Sequence, residues 1–212
     1  MRVLAAAMIG VVPCAAMAFE PGSLGDAYRD TGYLQGCTEA GERPACTLVS
    51  GGSQFVVPLA GPTPPEVMAK LRALPPLTYV EFRGDILNVF DSYAEFALGA
   101  VIEADPASDP QGAVLRAMQG EWVSIDDPES AVRVDGLIWS DVYAGEVVGS
   151  SVLFIGEGCS DGSPTTGAVL ELFAIGSSEA GTFCYSDLSV AEGRMEMVYA
   201  AGGTLLAYVA AD

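Results

Sequence analysis

After Gly120 the chain never runs far without a turn signal: Asp135-Gly136, Gly145-Glu146, Asp161-Gly162-Ser163-Pro164, Glu192-Gly193 and Gly202-Gly203 punctuate it to the C-terminus. Glycine in such pairs supplies the positive φ that tight hairpin turns require, and the intervals leave little room for helices of ordinary length. Strands fit. The runs Glu121–Ile125, Ala131–Val134, Leu137–Tyr143, Val147–Ile155, Ala168–Ile175, Thr182–Leu188, Arg194–Ala200 and Thr204–Val209 predict eight short strands, closed as an up-and-down barrel or laid out as a flattened meander. Strands this short predict an interior filled largely by its own side chains.

The segment before Gly120 reads differently. Val114, Leu115 and Met118 share one helical face, Asp109-Pro110 offers an N-cap followed by proline at the first helical position, and Gly120 ends the run. Further upstream, Glu103 to Pro110 is a polar linker with two Asp-Pro turns. Phe19 to Gly36 is Gly-rich, and the chain is expected to stay loose until Tyr33-Leu34. It then forms strands at Cys46–Val49 and Gln54–Val57 around the Ser50-Gly51-Gly52-Ser53 turn. Thr63-Pro64-Pro65-Glu66 starts a helix with Val67, Met68, Leu71 and Leu74 on one face, and Pro75-Pro76 ends it. Thr78–Phe82 and the stretch Leu87–Ile102, separated by Gly84-Asp85, predict two more strands. The second half of that last stretch also fits a helix through Tyr93, Phe96, Ala97 and Ala100.

Gly120-Glu121-Trp122, followed by about ninety residues of short strands, resembles the opening of the lipocalin-like or calycin barrels. In that family the motif begins the first strand, and the tryptophan closes one barrel end beneath a basic residue from near the C-terminus. The last strand here, Thr204–Val209, carries no Arg or Lys, and Arg194 lies a strand earlier. The N-terminal order of strands, one helix and two strands resembles the OB-fold, a five-stranded barrel with its helix between the third and fourth strands.

Arg2, the apolar run Val3–Val12 and the small-residue site Ala16-Met17-Ala18 read as a secretory signal peptide cut before Phe19. Its apolar core is too short for a membrane span, and Pro13 before Cys14 fits a lipoprotein site poorly. Cleavage leaves Cys37, Cys46, Cys159 and Cys184, an even count that in an exported protein implies two disulfides among three possible pairings. Local pairing, Cys37 with Cys46 and Cys159 with Cys184, is the simplest. A zinc site is disfavoured because the four lack close ligand spacing and the chain has no histidine.

Nine basic residues against 28 acidic give a net charge of −19, and loss of Arg2 with the leader makes it −20. Such a surface repels phosphate backbones and anionic headgroups, so neither nucleic-acid binding nor membrane insertion after cleavage is expected; a basic protein or a divalent cation is a better partner. Acidity also keeps exported proteins soluble, and that explains most of it.

Without histidine there is no Ser-His-Asp or Cys-His catalysis, and no glycine loop is followed by Lys-Ser/Thr for phosphate. Carboxylates remain. Asp126-Asp127-Pro128-Glu129, Asp141 and Glu146 are candidates for an acid and base pair in glycoside hydrolysis or for a calcium site, set against ordinary turn chemistry. In Trp139-Ser140-Asp141-Val142-Tyr143, strand alternation sends Trp139, Asp141 and Tyr143 one way. With Trp122 these are the candidate ligand-lining residues, against the plainer reading that they fill the core.

The sequence thus describes a mainly β protein of two small antiparallel barrel or meander units joined by a short helix. The divisions are a signal peptide over 1–18, a β-rich unit with one helix over 19–102, a linker and short helix over 103–119, and an eight-stranded unit over 120–212. The expected role is an exported, disulfide-stabilised, non-catalytic binding or interaction protein of the periplasm or extracellular space. No catalytic residue, cofactor or resident metal is assigned, and the partner is a basic protein or small ligand. The alternatives are a carboxylate-dependent, glycosidase-like hydrolase and a carrier of a small hydrophobic ligand.

Overall fold

The computed structural model describes residues 19–40, 43–109, 111–176 and 181–211. The expected leader and Cys14 fall outside those residues. The first barrel is built from β1 (Asp26–Thr38), β2 (Ala45–Ser50), β3 (Ser53–Pro58), β4 (Tyr79–Val89) and β5 (Ala94–Glu103), closed in the order β1-β2-β3-β5-β4. Only β3 and β5 pair in parallel. Helix α1 (Pro65–Ala73) lies between β3 and β4, with Met68 and Leu71 buried and Val67 and Leu74 packed on the same core. That core centres on Phe55, Phe82 and Phe96, with Tyr28 stacked on Phe55 at 4.9 Å between ring centroids.

Three expectations for this half are corrected. The segment expected to be loose is mostly strand: β1 starts at Asp26, and Gly25 just before it and Gly32 within it serve close backbone approach. A Cβ on Gly32 would lie 2.3 Å from the Val49 carbonyl oxygen, and one on Gly25 2.1 Å from that of Ile86. Gly84-Asp85 is not a turn but an irregular stretch within β4, where a Cβ on Gly84 would sit 1.9 Å from the Ala97 oxygen. The Leu87–Ile102 stretch is neither one strand nor half helix. Its first residues end β4, the chain reverses at Phe90–Tyr93, where Phe90 N donates to Tyr93 O at 2.8 Å, and the rest is β5.

The second barrel follows the expected pattern strand for strand: β6 (Gly120–Ser124), β7 (Ser130–Asp135), β8 (Ile138–Tyr143), β9 (Glu146–Gly156), β10 (Val169–Ala174), β11 (Thr182–Ala191), β12 (Arg194–Tyr199) and β13 (Thr204–Ala210). Each pairs antiparallel with the next, and β13 closes on β6. Inside it Leu153, Met195 and Met197 are fully buried, packed with Leu170 and Leu172 in one core.

One end is stoppered by α2 (Gly112–Ala117), with Leu115 and Met118 buried against the barrel core. The Trp122 indole N–H donates to the Met118 carbonyl at 2.7 Å, which ties the start of β6 to the stopper. Asp109 sets the stopper, though not as the expected adjacent cap: the helix begins at Gly112, and Pro110 lies outside the described residues. The Asp109 carboxylate, almost wholly buried, accepts from Gly112 N at 2.7 Å and from the Tyr33 hydroxyl of β1, with the Arg116 guanidinium 4.0 Å away. Any side chain on Gly112 would collide with that carboxylate, its Cβ falling 2.0 Å from Oδ2. Gln35 adds a second link between the barrels, accepting from Leu137 N at 2.5 Å and donating to Asp135 O at 3.1 Å.

Two disulfides staple the barrels. Cys37–Cys46 joins directly paired residues of β1 and β2, and Cys159–Cys184 ties the β9–β10 loop to β11. Each contributes about 2.5–3.5 kcal/mol on a chain-entropy estimate. They are compatible with an exported protein, and no helix among the described residues is long and apolar enough to cross a membrane.

Asp85 anchors the chain entering β1. It is fully buried, and its carboxylate accepts from Gly22 N at 2.7 Å, Leu24 N at 2.8 Å and Gly25 N at 3.3 Å. Burial alone raises such a pKa, but these backbone donors outweigh it and hold the group below the ordinary carboxylate range. A depressed folded-state pKa means stability that is present above about pH 4 and lost as pH falls through the folded value. Asp85→Asn turns a donor toward N–H groups and is expected to cost about 1–3 kcal/mol. Urea midpoints measured from pH 7 down to pH 2 are expected to fall less steeply for the variant than for the parent protein.

Candidate functional site

In an up-and-down barrel alternate turns gather at opposite ends. The β6–β7, β8–β9 and β12–β13 turns lie away from α2, around the end that carries no stopper. Its interior residues begin with Trp139, buried on β8, whose indole N–H donates to Asp141 Oδ1 at 2.9 Å. Asp141 itself is exposed. Its room comes from β9, where Gly149 is its direct partner and a Cβ on that glycine would press within 3.3 Å of Asp141 Oδ2.

Two tyrosines complete the group. Tyr208 on β13 meets the Trp139 ring edge to face at 6.5 Å, and Tyr185 on β11 packs beside Tyr199 of β12 at 5.6 Å. Burial pushes the Tyr185 phenol up to about 12, with further contributions from Tyr208, the Asp141 charge and Tyr199. Tyr208 is raised in the same way, first by burial and then by Asp141. Both hydroxyls therefore stay protonated at neutral pH and share the neighbourhood of one carboxylate. Tyr208 is only 8% exposed, yet among the described residues its hydroxyl makes no hydrogen bond and reaches solvent instead.

Among the described residues Asp141 makes no ion pair. Residues 120–212 contain no lysine and only two arginines, and these are occupied on the strands' flanks, Arg133 with Glu121 at 2.9 Å and Arg194 with Glu196 at 2.5 Å. The rim is apolar, with Ile125, Tyr143, Val147, Val148 and Leu205 all more than two-fifths exposed. Chemically the mouth offers one uncompensated carboxylate, phenolic hydroxyls and aromatic faces inside a greasy collar.

The sequence candidates divide accordingly. Trp139 and Asp141 come together through the indole N–H, Trp139 buried in the barrel core and Asp141 exposed, whereas Trp122 bonds to the Met118 carbonyl and serves α2. Tyr143 keeps the alternation of β8, whose pairing with β7 runs unbroken from Asp141 to Tyr143, and the register shift opposite it lies in β9. Val142 is buried, while Tyr143 is half-exposed and donates to Glu129 Oε2 at 3.3 Å. Asp127 and Glu129 are engaged in their own turn, Glu129 N donating to Asp127 Oδ1 at 3.0 Å, while Asp126 and Glu146 are exposed. Among the described residues no three acidic or cysteine side chains gather closely enough to hold a metal ion. Tyr185 and Tyr208 were not evident in the sequence. Their only signal is alternation within β11 and β13, and in β11 that signal is broken by an irregularity between Ser186 and Ser189, with Asp187 at φ +53°.

No family model, curated protein or solved structure matches this chain.

Tyrosine ionisation followed by ultraviolet absorbance is expected to show a late class near pH 12 that shrinks in Tyr185→Phe. In Asp141→Asn the remaining late phenols are expected to titrate at lower pH, because a negative neighbour has gone.

Proposed function

We propose that this chain is an exported, disulfide-stapled, non-catalytic binding protein whose ligand enters the unstoppered end of the eight-stranded barrel. The ligand class is a small organic cation with an aromatic or short apolar body. The observation that carries the reading is Asp141, an exposed carboxylate with no cation near it, set beside Trp139 and the two raised tyrosines. A carboxylate favours an ammonium group, ring faces add cation–π attraction, and phenols accept or donate the remaining hydrogen bonds. Met195, Met197 and Leu170, fully buried within the barrel, support a shallow ligand rather than a long lipid tail. The two-barrel architecture is compatible with a lipocalin-like unit and an OB-like unit, and the acidic charge supports a basic or cationic partner over nucleic acid.

Benzylammonium is the direct probe, with phenylacetate as its oppositely charged counterpart. Titration followed by tryptophan emission is expected to show saturable binding of the amine alone, weakened about ten- to a hundred-fold by Asp141→Asn, the loss expected of one charge-assisted hydrogen bond. Equal response to amine and acid, or an amine isotherm unmoved by Asp141→Asn, would remove the proposal.

A further inference from the structure

A second site lies between the barrels, away from the mouth. A cavity of about 450 Å³ opens there, floored by Val49 of β2, Leu115 of α2, and Leu137 and Leu153 of the second barrel. Its walls are strand edges. In an antiparallel ladder the main-chain groups of successive residues point to opposite sides. Leu153 N donates to Leu137 O at 2.9 Å, so Leu153 faces the β8 side, Phe154 faces β10, and Ile155 faces the β8 side again. The pairing of β8 with β9 stops at Ile138 and Val152, however. The Ile155 N–H and C=O therefore emerge on an edge with no adjoining strand, and they line the cavity.

The opposite wall has a matching gap. Leu34 N donates to Thr78 O at 3.0 Å, so Leu34 faces β4, and by alternation Thr31 faces away from it. Pairing of β1 with β2 begins only at Tyr33 and Val49. Thr31 N is taken by Asp30 Oδ1 at 2.8 Å, and the Thr31 carbonyl is left toward the cavity. Of charged side chains the lining contains Asp30 and Glu157 and no lysine or arginine.

We infer that this slot takes a lysine- or arginine-bearing segment of another protein in extended conformation, bound as an added strand on the free edge of β9. Main-chain bonding to Ile155 supplies the attachment, the apolar floor receives alternate side chains, and the acidic lining on a chain of net charge −19 selects basic residues. The occupant differs from the mouth's ligand in class and position, so the two can fail separately.

Fluorescence anisotropy on the full chain tests it with a labelled, terminally blocked Val-Lys-Val-Lys-Val-Lys peptide. Two controls share its length: one with glutamate in place of lysine, and one with alternate backbone nitrogens methylated. The lysine peptide is expected to bind at least ten-fold more tightly than either control and to slow hydrogen exchange at the Ile155 amide, whose exchange in the free protein is expected to be fast. Glu157→Lys, an exposed change, is expected to weaken it several-fold. Failure of the lysine peptide to bind at millimolar concentration, equal binding of the methylated peptide, or an Ile155 amide already protected in the free chain would each overturn the inference.

Discussion

A nearly buried carboxylate at the joint between the barrels determines which end of the second one is closed. Asp109 accepts from the start of α2 and from Tyr33 of the first barrel, with Arg116 beside it, so one side chain fastens the helix and aligns the two units. A buried charge of this kind is tolerated because several donors share it, and removing them would leave it costly. With α2 held there, Leu115 and Met118 seal the barrel floor, and Trp122 locks onto the seal through the Met118 carbonyl. Among the described residues no helix covers the other end, and Asp141 is exposed.

The charge distribution then gives that open end its character. The basic side chains that make ion pairs do so along strand flanks, in the first barrel's α1, or at the joint, as with Arg29 and Glu81, Arg72 and Glu39, and Arg116 and Asp109. Exposed pairs of this sort add little stability. They do engage cations elsewhere, so Asp141 keeps its field uncompensated among tyrosines whose own ionisation it suppresses. An acidic composition that as a bulk property promotes solubility becomes, at one barrel end, a selective environment for positive charge.

Legibility in the sequence followed local chemistry. The second barrel could be read almost strand for strand because its turns fall on glycines with positive φ, such as Gly136, Gly145, Gly193 and Gly203. In the first barrel glycine means something else: Gly32 and Gly84 within strands, and Gly25 just before β1, lie where neighbouring backbone leaves no space for a Cβ, so they resembled turns and loose chain. The β4–β5 reversal at Phe90–Tyr93 contains no glycine at all, which blurred two strands into one stretch. Both disulfides followed from local pairing. Trp139 and Asp141 were legible because they belong to one strand, but Tyr185 and Tyr208 arrive from strands brought close only by barrel closure. Asp85 hid for the same reason, its partners lying some sixty residues upstream.

The claim that one barrel end is stoppered and the other open and acidic is tested most directly by caesium quenching of single-tryptophan proteins. Trp122→Phe leaves Trp139, buried but bonded through its indole N–H to the exposed carboxylate that draws the cation; Trp139→Phe leaves Trp122, bonded to the Met118 carbonyl with no carboxylate on its indole. Caesium is predicted to quench the emission of Trp139 and to leave that of Trp122 nearly unchanged. Equal quenching of the two, or stronger quenching of Trp122, would contradict the account.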